Sequence, residues 1–281
     1  MLKRIYRIVI ILVFLSANLV FAQAESGKRY ISLAPSTTEI LFALGLDEEV
    51  VGVSSFCNYP QAALTREKIG NFSQPNIEKI LSLKPDYVFC TGLEQAPAIH
   101  KLKTLGLKVY IADPKNIDEL LISIKEIGEI TGTPSEAEDL IREIEIKIGE
   151  IQEKVAQIPA QKRLKIFVEI WDDPLMTVGE GSFVDELFTT AGGINIAKDA
   201  SRAYSIFSPE AVIKRNPDCI FLTYMDKGKS IESVIRRLGW NEISAVKNNR
   251  IYNNINPDTL LRPGPRIAEG LAEIYKRLYN Q

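Results

Sequence analysis

The chain carries one motif twice. Residues 76–90 read NIEKILSLKPDYVFC and residues 208–222 read SPEAVIKRNPDCIFL. Aligned without a gap, Glu78 falls on Glu210, Ile80 on Val212, Pro85 on Pro217, Asp86 on Asp218 and Phe89 on Phe221. The offset of 132 residues is far longer than a solenoid period. In each copy a polar cap (Asn76 or Ser208) opens a short amphipathic helix. A Pro-Asp turn ends the helix, and an apolar run follows as a buried strand. Such a unit repeated at that distance predicts two similar α/β lobes, and paired lobes enclose a cleft suited to a small ligand.

The N-terminus stands apart from this pattern. Lys3, Arg4 and Arg7 precede an unbroken apolar run from Ile8 to Leu15, and Ala22-Gln23-Ala24 has the small residues of a cleavage site. Residues 1–24 therefore read as a secretory signal peptide. The apolar run is short for a span of roughly 20 residues. The first cysteine is Cys57, so no lipid-anchor cysteine follows the run. Removing residues 1–24 from 281 leaves 257 and takes 3 of the 34 basic residues but none of the 36 acidic ones, for a net charge near −5. That charge disfavours nucleic acid as a partner. Three cysteines cannot all pair. Cys90 and Cys219 lie in the apolar runs and Cys57 in a polar loop, so the first two are expected to be buried, Cys57 partly exposed, and no disulfide formed.

Strand and helix patterns alternate along the rest, as in parallel sheets covered on both faces. Residues 25–132 form the first expected lobe. Asn116 and Glu119 then make a capping-box spacing, as do Thr133 and Glu136, with Pro134 at a favoured first helical position. From Ala137 the residues Leu140, Ile141, Ile144, Ile148, Ile151 and Val155 recur at helical spacing. The expected helix, within 133–158, is roughly 36 Å long, enough to join one lobe to the next. A strand pattern starts directly after it and opens the second lobe, 159–281.

Most enzyme chemistry lacks its residues. The single histidine, His100, falls on an expected surface helix, so neither a serine triad nor a histidine metal site is supported. No nucleophile elbow, P-loop, dinucleotide glycine pattern or C-x-x-C pair occurs. Asp172 and Asp173 adjoin at a strand end, which keeps a secreted carboxylate-dependent enzyme as the competing class. Stoichiometric binding without turnover separates the two readings.

The segments YISLAPSTTEILFALG, VVGVSSFCNYP, GNFSQPNIEKILSLKPDYVF and GLKVY, with TAGGINIA, FSPEAVIKRNPDCIFL and RPGPRIAEGL in the second half, resemble the periplasmic binding proteins that carry cobalamin, ferric siderophores or haem. The likeness covers about residues 29–278 and is closest to cobalamin binders through SSFCNYP. It implies two parallel-sheet α/β lobes with flanking helices, joined by one rigid long helix, with the ligand cleft between them. It further implies a periplasmic monomer that captures a small molecule, itself a cobalt or iron chelate, and delivers it to the permease and ATPase of an ABC importer. No catalytic residue, bound metal or further cofactor is expected. At the motif positions of Glu78 and Glu210 the family pairs a glutamate of each lobe with transporter arginines. First-turn carboxylates are also favoured by the helix dipole alone. Large planar ligands favour aromatic walls, so Phe56, Tyr59 and Phe72 of the first lobe and Trp171 and Tyr204 of the second are expected to line the cleft. Ser36 and Thr37 at a helix N-terminus would meet polar ligand atoms, and Arg262 matches a family arginine of the last loop. The chain departs from cobalamin binders at Phe72, where they tend to carry tryptophan, and at Thr259, where an aromatic tends to follow the aspartate.

Overall fold

The computed structural model describes residues 27–92, 95–224 and 230–279. The expected signal peptide, 1–24, lies outside the described residues. The first lobe runs β1 (Tyr30–Ser32), α1 (Pro35–Ala43), β2 (Val50–Val53), β3 (Glu67–Lys68), α2 (Ile77–Ser82), β4 (Tyr87–Cys90), α3 (Ala96–Thr104), β5 (Val109–Ile111) and α4 (Ile117–Thr131). Its five strands are all parallel in the order β3-β2-β1-β4-β5. Helix α5 (Pro134–Ala156) follows. The second lobe runs β6 (Lys165–Asp172), β7 (Leu175–Val178), α6 (Phe183–Thr190), β8 (Ile194–Asn195), β9 (Tyr204–Ile206), α7 (Pro209–Arg215), β10 (Cys219–Leu222), α8 (Ile231–Ile235), α9 (Ser244–Lys247), β11 (Ile251–Tyr252), α10 (Asp258–Leu261) and α11 (Ile267–Tyr279). Strands β11, β10, β6 and β8 are parallel neighbours, while β7 and β9 add two antiparallel strands beside β6. Neither of these two strands was expected, because LMTV and YSI are too short to show a period.

The repeated motif has a repeated structural reason. Asn76 Oδ1 accepts from Lys79 N at 3.0 Å and Ser208 Oγ from Ala211 N at 3.2 Å, so each helix opens on its cap. Asp86 Oδ2 then accepts from Arg29 N at 2.7 Å and Asp218 Oδ2 from Lys165 N at 2.8 Å. Each Asp N–H returns to the carbonyl of that same residue, Arg29 or Lys165, at 2.8 Å. Each Pro-Asp turn thus clamps the entry of its lobe's first strand. Asn116 caps α4 by accepting from Glu119 N at 2.7 Å, whereas Thr133 caps nothing. Its hydroxyl shares a hydrogen bond with Thr131 at 2.8 Å instead.

One core cluster runs through both lobes. It joins Tyr30 and Phe89 of the first sheet to Phe188 and Phe221 of the second lobe through Ile144, Ile148 and Ile151 of α5 and Leu271 and Ile274 of α11. The long helix is therefore packed along its apolar stripe, with α4 on one side and α11 on another. Two further clusters fill the outer layers, around Ile80 and Val88 in the first lobe and around Phe167 and Trp240 in the second.

All three cysteines are free and buried. The partly exposed Cys57 expected from its loop is corrected: it is 1% exposed, with Thr38 Oγ1 donating to its sulfur at 3.0 Å. Burial pushes Cys90 and Cys219 up to about 12 and raises Cys57 as well. At pH 8 a thiol with that pKa is roughly one part in 10⁴ thiolate, the reactive form. Native protein is therefore expected to resist a disulfide-exchange reagent such as DTNB, and to show three thiols after denaturation. Rapid reaction of one native thiol would contradict the burial of Cys57.

Candidate functional site

Parallel strands bind ligands outside their carboxyl ends, and here those ends carry two dissimilar surfaces. In the first lobe the edge is a polar mesh. Ser32, at the end of β1, meets the Thr37 and Thr38 hydroxyls at 2.7 Å each, and Thr38 and Ser54 both reach the Cys57 sulfur. Gln95, fully buried, ties three loops together. Its amide donates to Leu33 O and Phe72 O at 2.9 Å each, and its carbonyl accepts from Thr91 N at 3.0 Å. These bonds hold the Phe72 backbone against the sheet. Asp113 follows β5 and binds Lys115 at 2.5 Å. Gly92 makes room for it, since a Cβ there would fall 2.0 Å from Asp113 Oδ2.

In the second lobe the wall is the antiparallel hairpin. Trp171 pairs with Met176, Met176 with Ile206, and Val178 with Tyr204. Paired residues project to one face, so Trp171, Met176, Ile206 and Tyr204 share a side of the sheet. Trp171 is 54% exposed, Tyr204 48% and Ile206 69%. The Trp171 indole N–H donates to Asp173 O at 2.8 Å, which fixes the ring on its own turn. Beneath this wall Glu169, fully buried, accepts from both terminal nitrogens of Arg237 at 2.6 Å and from the Tyr224 hydroxyl. Arg237 also lies over the Trp240 ring at 4.5 Å.

The two edges meet. Tyr204 leaves almost half its surface open, yet desolvation raises the pKa of its hydroxyl, and the Asp113 carboxylate of the first lobe adds to the shift. Glu186 of α6 accepts from Ile117 N, at the start of α4, at 2.7 Å. Arg262 donates to Asn58 Oδ1 at 2.6 Å and pairs with Asp258 at 2.9 Å. A concavity of about 450 Å³ lined by Arg250, Lys276 and Arg277 lies at the entry to β11, on the opposite edge of that sheet from Trp171.

The expected site residues are placed unequally. Phe56, 55% exposed, and half-buried Phe72 lie on first-lobe loops, and half-buried Ser36 is the second residue of α1. Trp171 and Tyr204 are brought onto one face. Three placements differ from expectation. Thr37 is fully buried, its hydroxyl donating to Ala34 O at 3.0 Å within the mesh. Tyr59 carries the Arg266 guanidinium 3.9 Å from its ring centroid, so one ring face is taken. Arg262 is engaged by Asn58 and Asp258 rather than free for ligand, with its side chain 15% exposed. Glu78 and Glu210 are exposed at second helical positions of α2 and α7. Sequence reasoning missed Gln95, Asp113, Glu169 and Glu39. Glu169 and Glu39 find their charged partners 68 and 227 residues away and Gln95 reaches Leu33 over 62, so no local pattern points to these contacts. His100 sits exposed on α3. Among the described residues no group of three His, Cys, Asp or Glu side chains could hold a metal ion.

A protein-family model described as periplasmic binding protein matches residues 31–254. An uncharacterized ABC transporter substrate-binding lipoprotein of Bacillus subtilis, YvrC, is 37% identical over 91% of this chain and 81% of its own length. The vitamin B12-binding protein of Vibrio cholerae is 30% identical over 90% of each chain. The crystal structure of a possible iron-binding (periplasmic solute-binding) protein from Staphylococcus epidermidis superposes with a TM-score of 0.78 at 32% identity, covering 89% of this chain and 98% of that one.

Proposed function

Since the chain belongs to the periplasmic binding protein family, we propose that it captures cobalamin or a closely related metal chelate between its lobes and hands it to an ABC importer. The observation that carries this reading is the aromatic wall of the hairpin, with Trp171 and Tyr204 exposed on one face. Exposed rings on a built scaffold suit a large ligand that presents a flat face to them. Phe56 and Phe72 are the first-lobe counterparts, with Ser36 as a polar contact. The chain acts outside the cytoplasm, in the periplasm after removal of residues 1–24, as a monomer and without catalysis. The first cysteine of this chain, Cys57, is a core residue. The units are a first lobe to residue 132, a joining helix and a second lobe from residue 159.

A ferric siderophore is the second reading, favoured by the Staphylococcus epidermidis likeness. Anionic siderophores and haem propionates call for free cations. Arg237, Arg262 and Arg266 are each committed to a carboxylate, which supports the neutral, amide-rich corrinoid. The test is calorimetric titration of mature protein with cyanocobalamin, a panel of ferric siderophores and haemin. Saturable one-to-one cyanocobalamin binding without turnover is the expected result. Saturation by a siderophore alone would move the ligand to iron and leave the import role.

A further inference from the structure

The end of the second lobe returns to the first. Arg266, one residue before α11, donates from Nε to Glu39 Oε2 at 2.8 Å and from Nη2 to Oε1 at 2.6 Å. Glu39 belongs to α1 of the first lobe and is 4% exposed. Arg262 Nη1 stands 4.0 Å from the same carboxylate, and Asn58 Nδ2 donates to Asp258 at 3.0 Å. Gly264, between the two arginines, lies so close to α1 that a Cβ on it would be 3.6 Å from Ser36 O. The bonds made here are charge-assisted and bidentate, which fixes orientation as well as distance.

Apolar packing leaves a gap beside this junction. A concavity of about 220 Å³ opens between α1, α5 and Pro265, bordered by Phe42, Leu140 and Ile144. The buried ion pair is the tight contact at that place. Buried pairs add little net stability compared with apolar replacements, whereas a bidentate arginine–carboxylate pair adds geometric specificity. We infer that Glu39 is a positioning residue that sets the gape of the cleft. It is a second strut across the lobes, beside α5. The separation between the Phe72 side and the Trp171 side is then fixed before ligand arrives. The consequence for binding rests on the proposed function, whereas the strut itself does not.

The test measures the lobe spacing without ligand. Spin labels are placed at His100→Cys on α3 and Lys247→Cys on α9, both exposed, since the native thiols are buried. Double electron–electron resonance is expected to give one narrow distance distribution in the parent protein. Glu39→Gln keeps the shape and removes the charge, and should broaden the distribution about twofold or more by freeing interlobe motion. Arg266→Gln breaks the same pair from the other lobe and must reproduce the broadening, so one misfolded variant does not decide the matter. If the competent spacing falls to about a tenth of the population, cyanocobalamin affinity falls about tenfold. An unchanged distribution in the folded variants overturns the inference. A broadened distribution with no cyanocobalamin binding by the parent keeps the strut and overturns the ligand reading instead.

Discussion

The double variant Glu78→Ala, Glu210→Ala is expected to bind ligand as the parent does and to fail to dock on the importer. Both residues stand second in helices that begin where strands end, one on each lobe, so they flank the cleft-bearing edge. Each helix N-terminus is already capped, by Asn76 and by Ser208. The carboxylates are therefore not needed to satisfy the backbone. Glu78 has no hydrogen bond or ion pair with a described residue, while Glu210 accepts from Ser208 Oγ at 2.5 Å, which lowers its pKa. Both are exposed and available to a cationic partner. Close interfacial charge pairs contribute about 1.5 kcal/mol or more each, so losing both should weaken docking about 100-fold or more. Surface plasmon resonance against the reconstituted importer measures it, and raising the salt should weaken the parent's docking through its association rate. Docking of the double variant at parental affinity would reduce both glutamates to first-turn helix residues.

Arg237→Ala should destabilise the second lobe by about 3–5 kcal/mol, because it strands a buried carboxylate. Glu169 is fully buried, and after the change the Tyr224 hydroxyl is the hydrogen-bond donor left to its carboxylate among the described residues. Truncation also uncovers the Trp240 ring that the guanidinium covers at 4.5 Å. Glu169→Gln in the same background removes the stranded charge and should recover a large part of the loss, which a double-mutant cycle in urea reads as strong coupling. A loss below about 1 kcal/mol for Arg237→Ala would mean that the Glu169 carboxylate reaches water once the arginine is gone. Glu169 sits on the Trp171 strand itself, so the loss should appear in the hairpin before the first lobe loosens. Hydrogen exchange resolves the two regions.

Much of the architecture was legible from residue order. The doubled Pro-Asp motif carries both its helix caps and its strand clamp within a few residues, so its meaning is local. The long helix is legible for the same reason. Its stripe from Ala137 to Val155 repeats at the helical period, and the burial of Ile144, Ile148, Ile151 and Val155 follows it. Phe56, Trp171 and Tyr204 were legible as exposed rings, because aromatics on loops and strand ends have no core to explain them. The wall that carries two of them was not. The hairpin that sets Trp171 beside Tyr204 depends on strands of three or four residues, too short to display a period. Thr37 looks free at a helix N-terminus in the sequence, yet the returning hydroxyls of Ser32 and Thr38 enclose it. In the sequence Arg262 matches a family arginine of the last loop and Arg266 reads as the start of the closing helix, and neither position names a partner. Only the folded chain brings Glu39, 227 residues away, to hold the second and flank the first. Local pattern determines which segments become helix or strand and which face is apolar. Which charge meets which, and how far apart two lobes stand, is decided by contacts between segments that no period relates.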